Sequence, residues 1–184
     1  MDWEFSLLNI LMVIGFYELS HAYLYYKSRK VRKEGNVGIR VLDVNEENAL
    51  ALNSLLFRNT VIFLSNKINE EVLRHEEGHT KQFNYLYVYL IIVASLLPLN
   101  TLIAIPAVFI GKFLLWKMER DADLYAFVNY NIRYMSNVKR PESRIERLKD
   151  WILDSHPPDW VREKEEYYEK KYSLVKLLLK DLFS

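Results

Sequence analysis

The chain has 184 residues, enough for one domain with a real core. Its 25 Lys and Arg nearly cancel its 24 Asp and Glu, which removes any electrostatic case for a nucleic-acid partner. It has no cysteine, so disulfides, thiolate nucleophiles and cysteine-ligated metals are excluded, and a metal could be held only by carboxylates and the four histidines, His21, His75, His79 and His156.

The N-terminal stretch is apolar from Phe5 to Tyr17 and continues through Glu18, Ser20 and His21 to Tyr26. Acidic residues at its start (Asp2, Glu4) and basic ones after it do not make a secretory signal. A helix from Trp3 to Tyr26 would be about 35 Å long, enough to cross a bilayer. The basic run Lys27, Arg29, Lys30, Arg32, Lys33 would then lie in the cytoplasm. Glu18 and His21 keep open the alternative of an amphipathic helix on a soluble core.

Gly35 and Gly38 break the chain, and three β-like runs follow: Val37 to Val44, Ala49 to Leu55 and Thr60 to Ser65. They predict a small, largely antiparallel sheet. Ser65 or Asn66 is placed to cap the next helix, with Glu70 and Glu71 in its first turns. That helix carries HEEGH and leads into thirty residues without a charge, Gln82 to Gly111. Pro98-Leu99-Asn100 interrupts the run, which predicts a tight helical hairpin. Pro106 allows a kink in the second leg. Pro141 to Ser155 reads as a helix with Ile145, Leu148 and Ile152 on one face. The tail from Trp160 to Ser184 is charged, then leucine-rich, as an amphipathic helix on the core or on a lipid surface would be.

HEEGH puts His75 and His79 at i and i+4, so two imidazoles can reach one zinc ion, with Glu76 beside them as a proton acceptor. A catalytic zinc needs a third protein ligand and an open position. His79 lies 20 residues before Leu99 and Glu119 lies 20 after it; His75 and Asp123 lie 24 before and 24 after. In an antiparallel hairpin Glu119 therefore comes level with the histidines as third ligand. Asp123 comes level with His75, whose second ring nitrogen it can hold. Twenty helical residues span about 30 Å, close to the apolar thickness of a bilayer, so the hairpin tip is expected to enter a membrane.

These motifs resemble the membrane gluzincins of the HtpX and CAAX-prenyl-protease family, in a small form like the minigluzincins. The resemblance runs from about Val37 to Arg162. Asn48-Ala49-Leu50-Ala51 matches the family's Asn-Ala-x-Ala. Thr60 to Ser65 matches its strand ending in Ser. His75, Glu76, Gly78 and His79 match HExGH, and Glu119, Ala122 and Asp123 match ExxAD. His156, Pro157, Pro158 and Arg162 match His-Pro-Pro-x-x-x-Arg.

The resemblance implies an α+β, zincin-like fold, and a zinc metalloendopeptidase acting on membrane-associated or unfolded proteins. It implies one zinc per chain on His75, His79 and Glu119, with Glu76 as general base. His156 and Arg162 would stabilise the oxyanion, and residues 48–51 would bind substrate as an edge strand. The expected organisation is an N-terminal hydrophobic helix with its basic flank (1–33), a catalytic domain (34–162) with an inserted apolar hairpin (82–111), and a C-terminal amphipathic helix (163–184). The expected partners are a polypeptide substrate and a lipid bilayer, with the chain integral or re-entrant in the cell membrane and its site on the cytoplasmic side. Two other readings remain open: a non-catalytic zinc-binding membrane adaptor or sensor, and a soluble peptidase whose hairpin packs in a helical core.

Overall fold

A computed structural model describes residues 3–82 and 84–184. Asp2, counted above among the acidic N-terminal residues, and Phe83, in the charge-free run, lie outside the described residues. The chain is α+β, with a small mixed sheet and a majority of helix.

The first helix, α1, runs from Trp3 to Lys27. Its second half packs on the helix formed by residues 85–96 and bonds the chain segment 53–55. The Tyr17 hydroxyl donates to the carbonyl of Asn53 (3.2 Å), and Glu18 accepts the Leu55 N–H (3.0 Å). Asn84 Nδ2 donates to the Tyr17 hydroxyl (3.0 Å) and also to the Asn53 carbonyl. Glu18, which looks costly in a membrane helix, thus belongs to a polar seam with the β-strand region, while His21 bonds the Tyr17 carbonyl of its own helix (2.8 Å).

The basic run does not form a loose flank. Arg29–Glu34 is a strand, β1, paired antiparallel with β2 (Val37–Val41) through the turn at Gly35 (φ 53°). Glycine adopts that backbone without a Cβ penalty. The strand is exposed and sits at the sheet edge, where Lys and Arg guard against pairing with other chains.

The other strands are β3 (Ala49–Leu52) and β4 (Thr60–Phe63), and the order is β1-β2-β4-β3. Two of the three pairings are antiparallel, but β2 and β4 run parallel, so the expected largely antiparallel sheet is a mixed one. All four residues of β4 are buried, and a strand that apolar is most stable inside the sheet. It takes the place between β2 and β3, and β3 becomes the second edge. Val37, Ile39, Val41, Val61 and Phe63 form the core under the helix that follows, with its Leu73.

That helix, α2, is Glu70–Lys81. Asn69, rather than Ser65 or Asn66, caps it, its side chain accepting from the N–H groups of Glu71 and Val72. It does not continue into the apolar run. The chain is extended at Gln82, and α3 (Tyr85–Leu96) starts afresh with Asn84 as cap. After Pro98 and a short 3-10 turn, Thr101–Ile103, α4 returns from Ala104 to Tyr130 as one helix. Pro106 falls in its first turn, where its missing N–H is not needed, so it need not kink the leg.

Two glycines set how closely these helices approach. A Cβ on Gly78 would lie 2.8 Å from the Ala122 Cα, so only glycine lets α2 lie this close to α4. A Cβ on Gly111 would lie 2.7 Å from the Tyr89 hydroxyl, which bonds the Ala107 carbonyl and ties α3 to α4.

The C-terminal part forms a second core around Trp151, Trp160, Val161, Tyr167 and Leu174. It contains α5 (Arg144–Leu153), the single turns α6 (Asp159–Arg162) and α7 (Glu165–Tyr168), and α8 (Leu174–Phe183). Asp181 of α8 is almost wholly buried and is the anchor. It accepts from the indoles of Trp151 (3.1 Å) and Trp160 (3.2 Å) and from Arg140 Nε (2.9 Å). The tail helix therefore packs on the core. α5 is turned unexpectedly: Arg147 and Trp151 are buried, while Ile145, Leu148 and Ile152 face outward.

Candidate metal centre

α2 and α4 make the most extensive helix contact in the molecule, and the centre lies between them. His75 Nε2 and His79 Nε2 stand 3.1 Å apart. Glu119 puts Oε2 at 3.3 Å from the first and Oε1 at 3.3 Å from the second. The antiparallel register counted from Leu99 therefore brings Glu119 level with both histidines. His75, Glu76 and His79 also offer ligand atoms that all lie within 4.8 Å of one another, a group able to hold a metal ion.

Asp123 lies behind His75. Its Oδ1 lies 2.7 Å from His75 Nδ1, whose N–H it can accept, and this turns Nε2 toward His79 and Glu119. Asp123 is itself held by Arg162, whose Nε and Nη2 each donate at 2.8 Å, and by the Tyr167 hydroxyl at 3.0 Å. Arg120, inside the ExxxD stretch, secures Tyr167 from the other side by donating to its carbonyl (2.8 Å) and to that of Glu169 (3.0 Å). His79 has no such support: its Nδ1 is buried without a partner among the described residues.

The electrostatics follow. Burial opposes charge on His75, but its bonds to Asp123 and Glu119 outweigh that and push its pKa up to about 10. Burial would raise the Glu119 carboxyl, yet the two imidazoles hold it well below the usual carboxylate range. Asp123 is lowered likewise, against burial, by His75 and Arg162. Glu76 goes the other way: burial raises it, only partly offset by the imidazoles and the Ala51 N–H. Three anionic-to-cationic contacts thus surround one carboxyl kept closer to neutrality.

The group opens into a cavity of about 510 Å³, walled by Asn48, by Ala49 of β3, by Tyr134 and by His156 and Arg162. Asn48 and Ala49 reach the cavity and Ala51 reaches Glu76; Leu50 is not among the lining residues. His156 keeps its Nδ1 on the Pro157 carbonyl (3.0 Å). Arg162 lines the cavity, but both its bonds go to Asp123.

Two contributors had no signal in the sequence. Tyr167 lies 44 residues beyond Asp123 in a charged stretch. Glu77, a variable letter of the motif, accepts from Arg74 (2.9 Å), Tyr125 (3.0 Å) and Tyr130 (2.9 Å) and clamps α2 to α4. Comparison with family models, with curated proteins and with solved structures finds no match to this chain.

Proposed function

We propose that this chain is a zinc-dependent metalloendopeptidase, of the gluzincin kind it resembles, held at a membrane and cleaving membrane-associated or unfolded polypeptides. One observation carries the reading: two imidazole nitrogens and a carboxylate aim at one point from two helices, with a buried carboxyl, Glu76, beside them. Ligands bound to zinc at about 2.0–2.2 Å in a tetrahedron stand about 3.3–3.5 Å from one another. The 3.3 Å separations of Glu119 from His75 and His79 match that spacing, and the 3.1 Å between the two imidazoles is about 0.2 Å shorter. Two imidazole nitrogens this close need a proton or a metal ion between them, and no cysteine competes for the metal-binding role.

Bound there, zinc would supply a Lewis acid that polarises the substrate carbonyl and acidifies a water. Glu76 takes the water's proton on its carboxylate and returns it to the leaving amine. His156 reaches the cavity and donates to the carbonyl oxygen as charge builds there. Arg162 acts as a positioning residue, because it holds Asp123 and through it His75.

Substrate binding falls to β3. Leu64 N–H bonds the Asn48 carbonyl, so by antiparallel alternation Ala49 and Ala51 turn their backbone groups to the open edge. Their N–H groups are engaged, by the Asn48 side chain (2.8 Å) and by Glu76. Their carbonyls are the acceptors that an added substrate strand would use.

The membrane reading rests on the opposite end. The segments Glu4–Lys27 and Thr101–Tyr130 are helices long and apolar enough to cross a membrane. None of the apolar window of α1 is buried, and α3 has no buried residue. Leu102 at the hairpin tip is 78 % exposed. The seam at Tyr17, Asn53 and Asn84 marks the water boundary, as does Lys112 on α4. The twelve residues of α3 beyond it span only about 18 Å, less than an apolar bilayer core of about 30 Å, so the hairpin enters the membrane without crossing it. By the positive-inside rule the basic strand β1 puts the centre on the cytoplasmic side.

The assay is direct. Purified chain in detergent should cleave unfolded casein, stop when a chelator strips its metal, and recover with added zinc. A chain that holds zinc but cleaves nothing across a broad set of substrates would instead support the adaptor reading.

A further inference from the structure

The outward face of α5 has no role in the centre and no cover in the fold. Ile145, Leu148 and Ile152 recur at i, i+3 and i+7, and Leu153 adjoins them; all four are exposed, Ile145 to 80 %. Single exposed apolar residues are ordinary, but four on one face of a ten-residue helix form a patch that calls for a partner.

The position of α5 indicates which partner. Lys112 Nζ donates to the Leu153 carbonyl at 3.1 Å, and Trp116 packs edge-on to Trp151 with ring centroids 5.0 Å apart. The C-terminal end of α5 therefore sits at the level of Lys112, the first charge after the apolar hairpin. On α4, within a turn of that lysine, Phe109, Ile110 and Phe113 are exposed. The C-terminal end of α5, with Ile152 and Leu153, thus lies near that uncovered surface, at the height where α4 passes from apolar to charged sequence. Lys149 lies in the same exposed arc, between Ile145 and Leu153 around the helix. A lysine there can bury its stem among apolar chains and raise its amine to phosphate groups.

We propose that α5 is an interfacial helix that lies on the lipid surface beside the hairpin, its Ile145, Leu148 and Ile152 in the headgroup–acyl boundary and Lys149 at the anionic headgroups. The proposal rests on the membrane reading above and extends it from an inserted hairpin to a second, shallow contact. It has a consequence for the site. Ser155 and His156, directly after α5, line the catalytic cavity. A docked α5 holds that wall of the cavity against the bilayer surface. Glu119 lies seven residues beyond Lys112, about 10 Å along the helix, so the cavity meets a substrate just outside the membrane.

Because the chain has no cysteine, single ones can be placed freely. The full-length variants Leu148→Cys, Ile152→Cys, Leu102→Cys and Glu146→Cys, each labelled with an environment-sensitive fluorophore, would be reconstituted in phosphatidylcholine–phosphatidylglycerol vesicles. Spin-labelled lipids with the nitroxide near the headgroup or deep in the chain then report depth. All four positions are exposed, so the core is untouched, and zinc content checks folding. The expected result is strong shallow quenching at 148 and 152, several-fold above 146, and deep quenching at 102. Quenching at 102 with none at 148 and 152 would overturn the α5 proposal and leave the hairpin reading standing. No quenching at any position would overturn both. Shielding at 152 that grows with protein density, without lipid quenching, would make the occupant a second copy and overturn the proposal as well.

Discussion

The two halves of α4 have the same backbone and opposite surroundings. From Ala104 to Phe113 its buried residues are the small Ala107 and Gly111, and it turns Ile105, Val108, Phe109 and Ile110 outward. Its polar side-chain contacts there are the Tyr89 hydroxyl on the Ala107 carbonyl and, at the boundary, Lys112 Nζ on the Leu153 carbonyl. From Met118 onward it buries Met118, Arg120, Ala122, Asp123 and Ala126, and both buried charges are fully engaged. A water-soluble helix would keep its charges outside and its large apolar residues inside. One half of α4 places charges within the protein, and the other leaves large apolar side chains exposed. The candidate metal centre sits on the first side of that boundary and the proposed membrane contact on the second.

The most drastic way to break the contrast is to remove a ligand. In His79→Ala or Glu119→Ala, zinc should fall from one per chain to background and cleavage should vanish, while α1 and the hairpin still partition with lipid. Metal analysis beside vesicle flotation reads both ends at once. Full zinc retention in either variant would refute the ligand assignment.

Asp123→Ala tests the support behind the centre. It strips the partner from His75 and leaves the buried Arg162 uncompensated. Breaking such a pair costs about 3–5 kcal/mol, and losing the bond behind a ligand histidine costs about 10–100-fold in metal affinity. Urea unfolding and competition with a zinc chelator measure the two separately. A variant with unchanged stability would mean that the C-terminal core holds without this hub.

A smaller effect belongs to Gly78→Ala. The added methyl meets the Ala122 backbone at 2.8 Å, so α2 must shift on α4. Overpacking of this kind costs about 1–3 kcal/mol, and the shift spreads the histidines relative to Glu119. Denaturation midpoints and zinc affinity should fall together.

The sequence made the centre legible because its geometry is one-dimensional. His75, His79, Glu119 and Asp123 lie on two antiparallel helices, and counting residues from Leu99 puts each at its height even though α2 and α3 are separate helices. What depends on non-local pairing was not visible. The parallel place of β4 beside β2 is set by burial of all its residues, which a list of consecutive strands does not express. The basic run became a strand because an exposed edge tolerates lysine and arginine, although its charges read as a membrane flank. The clamp of Tyr167 on Asp123 and the hub at Asp181 join residues tens of positions apart without any periodic signal. Arg162 was expected at the oxyanion; its partner Asp123 was in plain view, but the pairing needed the turn of α6 to bring them together.

The central claim is that Glu76 is the proton carrier of a zinc peptidase. Glu76→Gln keeps size and shape but cannot take up a proton from water. Measured on the same preparation, the variant should still bind one zinc per chain and should lose casein cleavage by about 10²–10⁴-fold, the usual contribution of a general base. Cleavage at the wild-type rate by a zinc-loaded Glu76→Gln protein would contradict the account.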